Sequence, residues 1–244
     1  LNPRPRDYRR GAFKFTSTDK DTAKPTRDDL LRTFKNGVPG TSMPSFALYD
    51  AQEVERILDY VILLSIRGEA ERFLVDSYQP GEPITTEVAN EKASIVADFW
   101  NGTDQKVVKP KTPPPPPNDK SLANGKKLYL NTNVQCFNCH GREGRGDGLE
   151  SGLATGSLAN PDAWGDQLKP ADLTLGVYRG GGRPLDLFRR IHAGVKGGRM
   201  PSQAANLKED QIWDLVNYIR ALPFEDQKVA QATPDGPESS AKHN

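Results

Sequence analysis

Apolar positions along this chain recur with helical spacing. Between Gln52 and Ser65, residues Val54, Ile57, Leu58 and Val61 fall at i, i+3, i+4 and i+7, which marks one buried helical face. The same spacing returns at Ile212, Leu215, Val216 and Ile219, in a segment that opens after Leu207 with Lys-Glu-Asp. Glu87 to Trp100 reads as a third helix, with Ile95, Val96, Phe99 and Trp100 gathered near its end. A fourth is expected from a cap at Asp119 or Ser121 to about Asn131. No sustained period-2 alternation argues for strands, so the pattern predicts an all-α protein.

The chain also repeats itself. The segment from Asp29 to Ser45 (DLLRTFKNGVPGTSMPS) lies over Asp186 to Ser202 (DLFRRIHAGVKGGRMPS), with Leu30 on Leu187 and Met43 on Met200. After a one-residue slip Ile57 and Tyr60 fall on Leu215 and Tyr218, and Leu1-Asn-Pro resembles Leu168-Lys-Pro. The second copy has a long stretch ahead of that point, whereas the first has none. Five consecutive prolines, Pro113 to Pro117, impose an extended polyproline II spacer without free amides. The expected organisation is a partial module at 1–68, a helical extension at 69–100, a Pro-rich linker at 101–118, a complete module at 119–223 and an extended tail at 224–244.

Composition narrows the possibilities. In 244 residues only 35% are hydrophobic, while 22 glycines and 20 prolines mark long irregular stretches, so two small cores are expected, with something besides aliphatic side chains to fill them. A formal net charge of +1, with no basic stripe interleaved with aromatics, argues against nucleic acid. The longest apolar run, around Val61 to Ile66, is far short of the ~20 residues that cross a bilayer. No charged segment followed by an apolar stretch opens the sequence, so a secretion signal is expected to have been removed or to lie upstream of Leu1.

Both cysteines of the chain sit in Cys136-Phe-Asn-Cys139-His140. On a helix these three residues share a face, so two thiols can add to the vinyl groups of a haem while the adjacent imidazole meets the iron. Zinc needs four ligands, and beyond the two cysteines only His140, His192 and His243 remain. A thioredoxin-type pair needs a βαβ context that the pattern lacks, and a disulfide across the motif would close a very short loop. Met200, in Gly197-Gly-Arg-Met-Pro-Ser202, is the favoured second iron ligand over a role as core filler, because methionine is scarce and recurs at the same repeat position. His192 is the rival, but its repeat counterpart is Lys35, which favours a solvent-facing or capping histidine.

Residues 119–223 resemble a class I cytochrome c domain. The likeness rests on Cys136, Cys139, His140 and Gly141, the Gly144-Arg-Gly-Asp-Gly148 loop, Gly125 and Tyr129 of the first helix, the Met200-Pro201 loop, and Leu215 and Tyr218 of the last helix. It implies that Gly125 lets Tyr218 or Trp213 approach closely, and that the Pro170 carbonyl orients the His140 ring. Trp164, Tyr178 and Arg183 are candidates for haem propionates. Residues 1–68 resemble only the rear part of such a domain, with Met43 in the ligand position. A second haem near Met43 would need its Cys-x-x-Cys-His from missing sequence or another chain; a degenerate module that packs without haem is the other reading.

The expected function is single-electron transfer by a c-type cytochrome, as carrier or as a subunit of a respiratory or oxidoreductase complex, with one haem c at Cys136 and Cys139 and iron ligands His140 and Met200. The alternatives are a haem enzyme or ligand sensor with displaceable Met200, and a docking scaffold. Expected partners are redox proteins, among them other subunits of a membrane or periplasmic complex, with no transmembrane segment in this chain itself. The resemblance implies the periplasm or the outer face of the energy-conserving membrane.

Overall fold

The computed structural model describes residues 5–19, 24–151, 161–167 and 169–224. Among them the backbone forms helices α1 (Arg27–Asn36), α2 (Ala51–Ser77), α3 (Thr86–Trp100), α4 (Asp119–Tyr129), α5 (Cys136–His140), α6 (Pro184–Ala193) and α7 (Glu209–Ala221), joined by loops and short 3₁₀ turns. Strand pairing is limited to one antiparallel bridge, Thr18 to Val107. The expected all-α fold is present, with two hydrophobic cores. One joins Phe13, Leu30, Val54 and Leu58, and the larger one is built around Tyr129, Phe188, Ile212, Leu215, Val216 and Tyr218.

The larger core rests on the crossing of α4 and α7. A Cβ on Gly125 would lie 2.2 Å from the Asp214 carbonyl oxygen and 2.6 Å from Tyr218 Cβ, so only glycine admits this approach. Tyr218 is therefore the partner expected at Gly125; Trp213 packs elsewhere, against Phe188 at 4.5 Å between ring centroids. Polar groups seal the crossing. Ser121 donates its hydroxyl to Asp214 at 2.6 Å and accepts from Asn217 at 3.0 Å. Ser121 is thus not a cap, and neither is Asp119. Asn118 caps α4, because its backbone is still extended while its side chain accepts from Ser121 N at 2.9 Å.

Helix α2 continues through residue 68, where the sequence suggested a module boundary. Gly68 does not end the helix; it lets the Arg9 backbone pack against it, since a Cβ there would meet Arg9 O at 2.4 Å. The linker is also tied to both modules. Val108 N donates to Ser17 O at 2.9 Å, and the amides of Lys111 and Thr112 donate to the Glu209 carboxylate at the start of α7. Of the expected tail, only Phe224 lies within the described residues, at the end of the 3₁₀ turn Leu222–Phe224.

The repeat is present in three dimensions. Val38 N donates to Met43 O at 3.1 Å, and Val195 N to Met200 O at 3.0 Å. Phe46 N donates to Phe34 O as Gln203 N does to Ile191 O. Ser45 and Ser202 donate their hydroxyls to the carbonyls of Lys35 and His192. The glycines that end α1 and α6 share one conformation, φ 66°, ψ −162° at Gly37 and φ 73°, ψ −164° at Gly194. Earlier, the turn Asp7 to Gly11 matches Asp172 to Gly176: each aspartate caps a 3₁₀ turn and each glycine closes it. This register sets Pro5 against Pro170. The likeness of Leu1-Asn-Pro to Leu168-Lys-Pro lies largely outside the described residues.

The two modules meet through α6 and the segment 5–19. Arg190 donates to the carbonyls of Lys14 and Thr16, and Lys14 pairs with Asp162 at 2.5 Å with both side chains nearly buried. Burial pushes the Arg190 guanidinium down to about 10, still charged at neutral pH.

Gly125→Val should lower the stability of the second module by about 1–3 kcal/mol or more, because two helix backbones must separate. Thermal unfolding followed by circular dichroism checks it, and an unchanged midpoint would contradict the crossing.

Candidate functional site

Helix α5 is five residues long and begins where Gln135, with φ 62°, reverses the chain out of Val134. Cys136, Cys139 and His140 all lie on it, and both thiols are free. His140 Nδ1 is 3.0 Å from the Ala171 carbonyl oxygen. A carbonyl only accepts, so Nδ1 carries the proton and Nε2 keeps the lone pair, the form a metal-ligating imidazole needs. Burial lowers the His140 pKa, which also favours the neutral ring, although the Ala171 bond acts the other way. Burial pushes the Cys136 thiol up to about 11, and the Cys139 thiol is raised for the same reason.

The orienting carbonyl is thus that of Ala171, one residue beyond Pro170. The Pro170 carbonyl instead faces Gly146, leaving no room for a side chain there. The glycine-rich loop after α5 makes this possible. Gly146 N donates to His140 O at 2.8 Å and Leu173 N donates to Gly144 O at 2.7 Å, tying the segment 169–173 to the end of α5. Tyr129 holds the same end from below, donating its hydroxyl to Gly141 O at 2.7 Å. The signal for this contact lay in Asp172, whose carboxylate caps the turn that follows Ala171.

Met200 is half-buried against the larger core, which Cys136 and Phe137 also join. Next to it, the Arg199 guanidinium acts on the Cys139 thiol, opposing the effect of burial. Met200 and Cys136 thus border the same core. Trp164 lies against Gly197 of the Met200 loop and donates its indole N–H to Asp7 O at 3.3 Å, so it belongs to the module interface. Tyr178 donates to Ile219 O and Arg183 pairs with Asp186, which leaves all three propionate candidates engaged with protein groups.

His192 is half-buried. Its ring stacks on Phe188 and lines a cleft with Val108, Pro110 and Glu209. Met43 sits in the matching loop of the first module, far along the chain from the only two cysteines. Among the described residues no group of three or more His, Cys, Asp or Glu side chains is placed to hold a metal ion. Nor is any described helix long and apolar enough to cross a membrane.

Residues 122–223 match the family model for cytochrome c. No curated protein matches the sequence. Among solved structures, the chain is similar to one in the Kuenenia stuttgartiensis reducing HAO-like protein complex Kustc0457/Kustc0458. The two are 28% identical, the alignment covers 91% of this chain and 83% of that chain, and the TM-score is 0.68. Residues 122–223 thus match a cytochrome c domain, and the structural similarity extends over the module that precedes it.

The donor set fits the haem c that this family binds. Two free thiols and an imidazole with its Nδ1 already committed lie on one short helix. Replacing both cysteines, Cys136→Ala with Cys139→Ala, should give haem that acid-organic solvent extracts. Haem retained in the protein after extraction would contradict thioether attachment.

Proposed function

We propose that this chain carries single electrons, with one haem c held by Cys136 and Cys139 and its iron ligated by His140 and Met200. When bound, the haem supplies a one-electron iron couple. The observation that carries this reading is the His140 contact to Ala171, which holds the ring in the tautomer and orientation an iron ligand requires. The two thiols would anchor the group on α5, which packs against the buried core of Tyr129, Leu215 and Tyr218. Met200, presented by a loop closed through Val195 N, would hold the iron from a second side and so leave no position for a substrate.

The same ligand set weighs against a haem enzyme or a ligand sensor, since either function requires Met200 to leave. A docking role for the first module is compatible with electron transfer. The similar chain belongs to a reducing HAO-like complex, which supports the reading that this one serves as an electron-carrying subunit docked on other redox proteins. We place it in the periplasm or on the outer face of the energy-conserving membrane, where covalent haem attachment takes place in this family.

Met200→Ala should leave the haem attached but convert the iron to high spin and lower its potential, as absorption spectra and redox titration read out. A resting wild-type spectrum that is already five-coordinate would favour the enzyme or sensor reading. An unchanged low-spin spectrum in the variant would move the ligand to another residue.

A further inference from the structure

The two methionine loops share a backbone plan but are held in it by different means. The first, Val38-Pro39-Gly40-Thr41-Ser42-Met43, is stiffened from within. Pro39 fixes its own φ, and the Thr41 hydroxyl donates to Val38 O at 2.8 Å while accepting from Met43 N at 3.2 Å. In the second, Val195-Lys196-Gly197-Gly198-Arg199-Met200, lysine and glycine stand at those two positions. This loop therefore has neither the ring nor the hydroxyl, and its paired glycines give the backbone more freedom than any other residues would. Its own closing bonds are Val195 N to Met200 O at 3.0 Å and Gly198 N to Val195 O at 2.9 Å.

The second loop is held from outside instead. A Cβ on Gly197 would lie 2.8 Å from the Trp164 indole ring, whereas among the described residues one on Gly40 would meet only Val177 Cγ1, at 3.4 Å. Ala163 N donates to Gly197 O at 2.9 Å, and Lys196 reaches out of the loop to Thr18 Oγ1 at 2.9 Å. Trp164 sits on a turn closed by Asp162, one of whose carboxylate oxygens accepts from the amides of Trp164 and Asp166 at 2.9 and 3.0 Å. The first module grips that turn. Lys14 pairs with the other Asp162 oxygen at 2.5 Å, Arg10 donates to Ala163 O, and the indole N–H donates to Asp7 O at 3.3 Å. The Arg6 and Lys14 cations each lie 5.2 Å from the indole centroid, a further attraction that keeps the ring in place.

We propose that Trp164 is a positioning residue for Met200, backed by the first module, so that the contact between modules sets how firmly the thioether is held on the iron. The inference rests on the reading of Met200 as an iron ligand. A neutral thioether is presented by its loop, and any backbone freedom the loop regains when the sulfur leaves counts against the bond. In the Met43 loop Pro39 and Thr41 remove that freedom locally. In the Met200 loop Gly197 and Gly198 restore it, and Trp164 takes it away again by lying flat on Gly197 with the cations and carbonyls of residues 6–14 behind it. The first module thus acts on the site of the second through this loop, which its own residues reach by way of Asp162, Ala163 and Trp164.

The test compares full-length, haem-loaded chains by the rate at which imidazole binds the ferric iron, since imidazole enters only when Met200 leaves. Trp164→Ala should speed that step about tenfold, lower the midpoint potential and weaken the charge-transfer band of a thioether bound to ferric iron. Arg10→Ala with Lys14→Met leaves every residue of the second module in place, and should move all three readouts the same way by a smaller factor. Arg10→Ala alone, at an exposed side chain, gives the same comparison in a chain whose buried pair is intact. A Trp164→Ala chain with a lowered unfolding midpoint but the wild-type imidazole rate and potential would make Trp164 a packing residue only, and overturns the proposal. So does a change seen with Trp164→Ala but with neither first-module variant. A wild-type chain without the thioether band, or one whose imidazole rate is unmoved by Met200→Ala, would instead count against Met200 as the ligand, so the two failures are separable.

Discussion

The approach of α4 to α7 at Gly125 is the constraint on which the second module depends. Because the helices touch backbone to side chain, Tyr129 and Tyr218 meet edge to face at 5.5 Å, and the Tyr129 hydroxyl reaches Gly141 at the end of α5. The crossing thereby positions a helix that is too short to hold itself in place; five residues make little more than one turn, well below what is stable alone. From the opposite end, α7 leads by way of the Leu222–Phe224 turn back to the glycine loop, where Leu222 packs beside Gly144. The attachment helix is thus clamped between elements that owe their separation to one missing side chain.

A second constraint operates at the tie between Ala171 and His140. An imidazole free to rotate would present either nitrogen, and its tautomer would follow the solvent. Committing Nδ1 to a carbonyl leaves one lone pair and one direction for it. The carbonyl is itself held by the aspartate-capped turn and by the loop bonds from Gly144 and Gly146. In the proposed electron carrier such immobility would serve the function, since an iron whose ligands do not move between oxidation states needs little reorganisation.

The module interface shows how the two copies of one design are locked together. Arg190 occupies the position of Thr33 in the repeat, so the contact is not part of the shared plan. It satisfies two carbonyls of the segment 14–16, while Lys14 and Asp162 form a nearly buried pair beside Trp164. Leaving any of these groups unpaired inside the protein would cost about 1–3 kcal/mol or more, so the relative placement of the modules is specified by charge as well as by shape. The strap of Val108, Lys111 and Thr112 reinforces it from the linker.

Local pattern and spacing by themselves determined the helices, the repeat and the attachment motif. Those features depend on residues a few positions apart, or on residue types that nothing else in the chain supplies. Cys136, Cys139 and His140 had to share a face, and α2 and α7 had to be amphipathic, whatever their surroundings. Tertiary structure decided which carbonyl meets His140, which group caps α4, that α2 runs on past Gly68, and that the linker is bound rather than free. Each of these is a choice between chemically equivalent neighbours, Pro170 or Ala171, Asn118 or Asp119, made by packing between segments distant in sequence. The Tyr60 face belongs to the same kind: its residues read as one more buried helix, yet Tyr60 is exposed where Tyr218 is buried beneath α4.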